Sequence, residues 1–76
     1  MREIIIYDYD YMFSFTVYID GCKIDRRDAY DMVKEYKDIE YGDSECYKSN
    51  ISLYMEKYSC NRLILCIDGD IEIYVR

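Results

Sequence analysis

Carboxylates are the most numerous ionisable groups in this sequence, and seven of them fall between Asp28 and Glu45. Such side chains can act as general acid and base, hold a cation, or present negative charge to a basic partner. With 16 acidic and 10 basic residues, the net charge is −6, which is compatible with a basic partner surface. Four of the acids recur every three or four residues, and this spacing places them along one side of a helix: Asp28, Asp31, Glu35 and Asp38.

The residues on which most enzymes depend are missing from the sequence. There is no histidine, the usual general base near neutral pH. The three glycines are isolated, so the sequence contains no glycine-rich phosphate-binding loop. None of the four cysteines is marked as a nucleophile by its neighbours. We therefore expect a protein that is not an enzyme and has no catalytic residues.

The sequence also predicts no metal site and no cofactor. Asp8 with Asp10, and Asp68 with Asp70, have the spacing to hold a hydrated magnesium ion, but each pair is better explained by a strand edge or a turn. The cysteines are irregularly spaced and include no CxxC pair, which disfavours zinc: Cys22, Cys46, Cys60 and Cys66.

The chain of 76 residues is long enough for one domain, residues 1–76, with a core of modest size. No apolar run approaches the roughly 20 residues of a membrane span. The segment MREIIIYDYDYMFSF contains acids throughout and no small-residue cleavage site. These features predict a cytoplasmic protein that does not contact membranes. We expect its cysteines to stay reduced rather than to form two disulfides.

The segment REIIIYD predicts a strand over 2–8, and a clean alternation of apolar and polar residues predicts a second strand over 12–19. Asp20-Gly21 has the composition of a two-residue hairpin turn, followed by a short strand at 22–24. The same turn signal, Asp68-Gly69, predicts a second hairpin within 62–76. Two-residue turns set the register of both hairpins and pair Ile19 with Cys22, Val17 with Ile24, Cys66 with Ile71, and Ile64 with Ile73.

A helix is predicted over 26–39, because Asp25 is a favourable N-cap residue and apolar residues follow with helical spacing. Residues 40–50 have the composition of a loop. Residues 51–59 fit either a strand or a short helix, of which we favour the helix. The apolar stripe of the first helix consists of Ala29, Met32, Val33, Tyr36 and Ile39.

Together these elements predict an α+β fold, with an antiparallel sheet of four to five strands and one or two helices packed on one face. The predicted order is β-β-β-α-(α)-β-β. Apolar residues on both faces of residues 62–67 indicate an interior strand, or a strand that a partner covers.

Tyrosine is the second unusual feature, with 11 among 76 residues. Tyrosine gives recognition surfaces a large contact area with few rotatable bonds, although the codon bias of an AT-rich genome would also raise its content. We expect Tyr36 to face the core. Several others are expected at the surface: Tyr7, Tyr9, Tyr11, Tyr41, Tyr47, Tyr54 and Tyr58.

The acidic row and the tyrosines beside it form the predicted binding surface. Carboxylates one helical turn apart approach the spacing of phosphates along a nucleic-acid strand. Net negative charge disfavours direct contact with nucleic acid, so we predict a protein partner with a basic surface. The predicted partner-binding residues are Asp28, Asp31, Glu35, Asp38, Glu40, Tyr41, Asp43, Glu45 and Tyr47.

In size, acidity, tyrosine content and lack of catalytic motifs, the chain resembles the small anti-CRISPR proteins and related anti-defence inhibitors of phages and mobile elements. The acids from Asp28 to Glu45 carry this resemblance. It implies an inhibitor that occludes the basic nucleic-acid-binding surface of a host defence nuclease. Neighbouring basic residues depart from a pure nucleic-acid mimic: Arg26, Arg27, Lys34 and Lys37.

A second hypothesis is a small structural or regulatory homodimer without nucleic-acid mimicry. Its interface would be the apolar hairpin at 62–76 or an open sheet edge.

Overall fold

In the part of the chain that the structure describes, five strands and two helices follow one another in the order β-β-β-α-α-β-β, which confirms the predicted α+β class and element order. The computed structural model describes residues 2–9, 14–40 and 47–76, and the side chains of all of these except 40 and 47–49. The elements are β1 (Glu3–Tyr9), β2 (Ser14–Ile19), β3 (Cys22–Lys23), α1 (Arg26–Glu40), α2 (Tyr47–Lys57), β4 (Arg62–Ile67) and β5 (Asp70–Val75).

The five strands form one open sheet in the order β3-β2-β1-β4-β5. The sheet is mixed, because β1 pairs with β4 in parallel while the other three pairs are antiparallel. The prediction of an antiparallel sheet therefore differs from the structure at one pair. The sequence signals set the direction of strands within each hairpin, but not the direction in which the second hairpin joins the first. Parallel neighbouring strands must be joined by a long crossover connection. Between the two hairpins, α1 and α2 provide it.

Both hairpins have the predicted register. Ile19 is opposite Cys22, and the N–H of Ile24 donates to the carbonyl of Val17 at 3.1 Å. Asp-Gly suits these turns because both central positions of this turn type need a positive φ angle, which aspartate tolerates and glycine adopts readily. The φ angles are 50° and 81° at Asp20 and Gly21, and 49° and 89° at Asp68 and Gly69. In the second hairpin, Cys66 is opposite Ile71 and Ile64 is opposite Ile73.

The helix α1 starts where its cap predicts, because Asp25 Oδ1 accepts the N–H of Asp28 at 2.9 Å. The predicted apolar stripe faces inward, with Ile39 only partly buried. The helix α1 extends to Glu40 and α2 starts at Tyr47, so the predicted loop over 40–50 is wrong for residue 40 and for its last four residues, while 41–46 lie outside the described residues. Neither described helix is long and apolar enough to cross a membrane.

The end of α2 is a Schellman motif. Ser59 has a φ of 52°, and its N–H donates to the carbonyl of Glu56 at 3.1 Å. The next N–H, that of Cys60, reaches back to the carbonyl of Met55 at 2.7 Å. This turn ends the helix and directs the chain into β4.

The helices pack on one face of the sheet and make the core with it. Alternate residues of each strand point to this face, because successive side chains of a strand alternate in direction. Among the described residues, the buried apolar side chains are Ile4, Ile6, Val17, Ala29, Met32, Val33, Tyr36, Ile51, Tyr54, Met55, Cys60, Leu63 and Leu65.

Two leucines allow the contribution of this core to be measured. Leu63 in β4 is fully buried, whereas Leu53 in α2 is 58% exposed. We expect Leu63→Ala to lower the free energy of unfolding by about 2–5 kcal/mol, because it removes buried contacts and leaves a cavity. The control Leu53→Ala should change it by less than about 0.5 kcal/mol. Urea unfolding of both variants measures the difference, and equal losses would contradict the burial of β4 under the helices.

Candidate functional site

The predicted acidic row lies on α1, but not all of its members face solvent. Asp28, Asp31 and Asp38 are exposed, and their side chains form no ion pair within the described part of the chain. Arg26 and Arg27, at the start of the same helix, are also exposed. The row is therefore a set of accessible negative charges with positive charge at one end.

Glu35, the central acid of the row, is engaged by α2. Its Oε1 accepts from Lys57 Nζ at 2.7 Å, and its Oε2 accepts from the Tyr58 hydroxyl. The hydrogen bonds from Lys57 and Tyr58 lower the pKa of Glu35 below its usual value. Burial and the hydrogen bond to Glu35 raise the pKa of Tyr58, so the shared proton stays on tyrosine. Glu35 thus joins the two helices and contributes less negative charge to the surface.

The remaining predicted site residues fall in or beside the segment between the helices. Glu40 is the last residue of α1 and Tyr47 the first of α2. Their side chains, and all of Tyr41, Asp43 and Glu45, lie outside the described residues.

Of the tyrosines predicted at the surface, one is buried in the core and a second, Tyr58, is partly buried against it. Tyr54 is fully buried, and its hydroxyl donates to the carbonyl of Met32 at 3.4 Å. Its ring meets Tyr36 edge-on at 5.9 Å between centroids and lies 4.7 Å from the ring of the partly buried Tyr58. The prediction was wrong for Tyr54 because its hydroxyl finds an acceptor inside the protein, which makes burial affordable for tyrosine. The spacing of Ile51, Tyr54, Met55 and Tyr58 is the signal that could have indicated an inward stripe.

Asp8 also faces the helices. It is 6% exposed, and its Oδ2 lies 3.0 Å from Lys37 Nζ. This ion pair attaches the end of β1 to α1, while Asp10, the other member of the predicted pair, lies outside the described residues. Among the described residues, no three of the histidine, cysteine, aspartate and glutamate side chains are grouped so that they could hold a metal ion.

The other face of the sheet is covered by neither described helix. We call it the open face, and the strand registers define it, because directly opposed residues point to the same side. Its centre consists of Ile5, Tyr7, Thr16, Tyr18, Ile64, Cys66, Ile71, Ile73 and Val75, and the same registers place Glu3, Tyr9, Ser14, Lys23 and Arg62 at its border.

Exposure on the open face increases toward β5. Ile5, Tyr7, Ile64 and Cys66 are partly buried, whereas the β5 side chains Ile71, Ile73 and Val75 are 65%, 53% and 74% exposed. Surface hydrophobic residues that occur singly are normal, but a contiguous patch marks an interaction site. The apolar residues on both faces of the predicted C-terminal hairpin were the sequence signal for this surface.

The open face combines aromatic contact area with a polar border. The rings of Tyr7 and Tyr18 meet edge-on at 5.8 Å between centroids. Glu3 and Arg62, which are opposed across β1 and β4, form an ion pair at 3.5 Å. An apolar and aromatic centre with a polar rim is the usual anatomy of a protein–protein interface.

The contacts of Glu35 predict a pH dependence of stability. Because its folded pKa is lowered, the carboxylate contributes stability above its usual pKa of 4.5, and this contribution is lost as the pH falls through the folded value. We expect Glu35→Gln to lower the free energy of unfolding at pH 7 by up to about 1 kcal/mol, since the pair is partly exposed. The difference between variant and wild type should shrink at acid pH.

Urea unfolding at pH 7 and at acid pH tests this expectation. The matched control is Glu56→Gln, which changes an exposed carboxylate of α2 and should have little effect at either pH. A Glu35→Gln effect that is the same at both pH values would contradict the role of the ionised carboxylate.

Comparisons with protein-family models, with curated proteins and with solved structures found no match to this chain.

Proposed function

We propose that this protein is a non-enzymatic protein-binding module and that the open face is its binding surface. The observation that carries the proposal is a sheet face that is apolar and aromatic but is covered by no described helix. While this face is in contact with water, the protein lacks the free energy that burial of its apolar surface would contribute, and such burial drives most protein association. A partner that covers the face recovers that burial.

The chemistry of the open face favours a protein over a nucleic acid. The nine residues of its centre carry no charge, and at its border Glu3 pairs with Arg62 while Lys23 adds a single positive charge. The chain as a whole has a net charge of −6, which repels phosphates and cannot release their counterions. Isoleucine, valine and tyrosine instead match the apolar centre of another protein's surface.

A pair of tyrosine substitutions tests the proposal. Tyr18 lies on the open face, whereas Tyr30 is exposed on α1. We expect Tyr18→Ala to abolish the capture of protein partners from a lysate of the cells that make this protein, because buried aromatic residues dominate interface energies. Tyr30→Ala should capture the same proteins as the wild type. Identical capture by all three proteins, or no specific capture by the wild type, would contradict the proposal.

A second candidate function is the acidic inhibitor that the anti-CRISPR resemblance implies. The exposed carboxylates of Asp28, Asp31 and Asp38, which form no ion pair among the described residues, support it. In this function the flank of α1 occupies a basic nucleic-acid-binding groove of a host defence nuclease. The engagement of Glu35 by Lys57 reduces the number of charges available for this purpose.

Charge reversal distinguishes this second candidate. We expect Asp31→Lys combined with Asp38→Lys to weaken binding to such a nuclease and to reduce its dependence on salt, because long-range charge attraction is screened by ions. The control, Glu56→Lys with Asp70→Lys, makes the same change of charge at exposed positions outside α1 and should affect binding less. Binding that is unchanged by the α1 substitutions would exclude the acidic flank as the contact surface.

A further inference from the structure

Among the described strands, β5 has one hydrogen-bonded neighbour, β4, and none of them pairs with its other edge. Five of its six residues are exposed, and the pairing with β4 is continuous, without a bulge. Proteins usually protect such an edge with a lysine, a proline, a bulge or a very short strand. The strand β5, DIEIYV, has no lysine, proline or bulge, and its charged residues are the acids Asp70 and Glu72. An exposed edge of this length is a template for another strand.

The hairpin geometry determines which backbone groups point outward from β5. In an antiparallel pair, hydrogen-bonded and non-hydrogen-bonded positions alternate, and the residues that close a two-residue turn, Ile67 and Asp70, are hydrogen-bonded. The N–H of Arg76 donates to the carbonyl of Asn61 at 2.9 Å, which continues the same alternation. The even-numbered residues of β5 therefore bond to β4. The N–H and C=O groups of Ile71, Ile73 and Val75 point away from the sheet.

We propose that β5 pairs antiparallel with β5 of a second copy of this chain, about a twofold axis at Ile73. Ile73 is then opposite Ile73 of the partner, and Ile71 is opposite Val75 of the partner. These are the residues whose backbone groups point outward, so each pair exchanges two hydrogen bonds. The two five-stranded sheets become one sheet of ten strands. This pairing extends the proposed function but does not depend on it.

Side-chain chemistry selects this register over its neighbour. In the register centred on Ile73, β-branched side chains meet across the dyad, which is favourable in sheets. On the other side of the sheet, Glu72 is opposite Tyr74 of the partner. That contact suits both groups, because the Tyr74 hydroxyl already donates to Glu72 within one chain at 2.8 Å. A register centred on Glu72 would instead place two glutamates directly opposite each other.

The net charge of −6 on each copy does not oppose this pairing strongly. The exposed acids Asp28, Asp31 and Asp38 lie on α1, which packs against β2 and α2. In the ten-stranded sheet, the two β2 strands are seven strand spacings apart, or about 34 Å at about 4.8 Å each. This distance is several times the Debye length of about 8 Å at physiological salt. The acidic helices are therefore screened from each other.

The pairing also explains why exposure on the open face is greatest at β5. Ile71, Ile73 and Val75 are the side chains that a second β5 strand contacts directly. The open faces of the two copies would become one continuous apolar surface. A protein partner that binds this surface would meet two chains rather than one.

Sedimentation equilibrium and cysteine cross-linking together test the pairing. We expect the wild type to sediment as two chains within the range of about 1–100 μM, where interfaces of modest size associate. Cross-linking is done after Cys22, Cys46 and Cys66 are replaced by serine, which leaves the buried Cys60. In that background we expect Ile73→Cys to form a disulfide-linked dimer with oxidised glutathione. Opposed residues of a hydrogen-bonded pair lie about 5.5 Å apart at Cα, within disulfide range.

The matched control is Glu72→Cys, which should stay monomeric on a denaturing gel, because Glu72 of one copy is diagonal to Glu72 of the other at more than about 7 Å. Cross-linking of Glu72→Cys but not of Ile73→Cys would overturn the register. A dimer in which neither cross-links, or a wild type that sediments as one chain throughout, would overturn the β5 pairing.

A backbone substitution provides an independent readout. Ile73→Pro removes an outward N–H while leaving the bonds to β4 in place, and proline is tolerated on an edge strand in that orientation. We expect this variant to keep the circular dichroism spectrum of the wild type and to dissociate at least about tenfold more readily. A folded Ile73→Pro variant that dimerises as tightly as the wild type would contradict the proposal.

Discussion

The parallel pairing of β1 with β4 is the constraint on which the rest of the structure depends. It places β1 and β4 in the interior of the sheet and requires a long connection between the hairpins. The chain makes that connection with α1 and α2, and both helices contribute to the core on one face of the sheet. Covering one face in this way leaves the other without a covering helix among the described residues. The open face is therefore a direct result of the topology.

The contacts between the helices show how a small core is completed with polar residues. Tyr54 is buried with its hydroxyl on the carbonyl of Met32, and Tyr58 and Lys57 both engage Glu35. At the other end of the sheet, Asp8 is joined to Lys37. In a domain of this length the buried apolar area is modest, so hydrogen bonds and ion pairs at its border help to orient the helices. As a result, Glu35 of the α1 row is bound by two side chains of the same protein.

Local features were predicted from the sequence, and non-local ones were not. The registers of both hairpins followed from the Asp-Gly turns, because those turns leave one pairing that keeps the apolar residues together. The start of α2 was missed because the residues from Tyr47 to Asn50 are polar and lack a helical pattern. The parallel junction and the contact of Glu35 with α2 join segments far apart in the chain. The predicted register of the second hairpin paired Cys66 with Ile71 and Ile64 with Ile73, but it did not indicate which face of the sheet the helices would cover.

The position of β1 at the centre of the sheet has a consequence for folding during synthesis. Ile4 pairs with Leu63, so 63 − 4 = 59 residues separate them along the chain. At about 5–20 residues per second, a ribosome needs several seconds to make the second strand after the first. Throughout that interval Ile4 and Ile6 lack their β4 neighbours Leu63 and Leu65, even after α1 and α2 have been made. Contacts of such large sequence separation also slow folding, and until β4 is added this edge of β1 is open to aggregation or to binding by a chaperone.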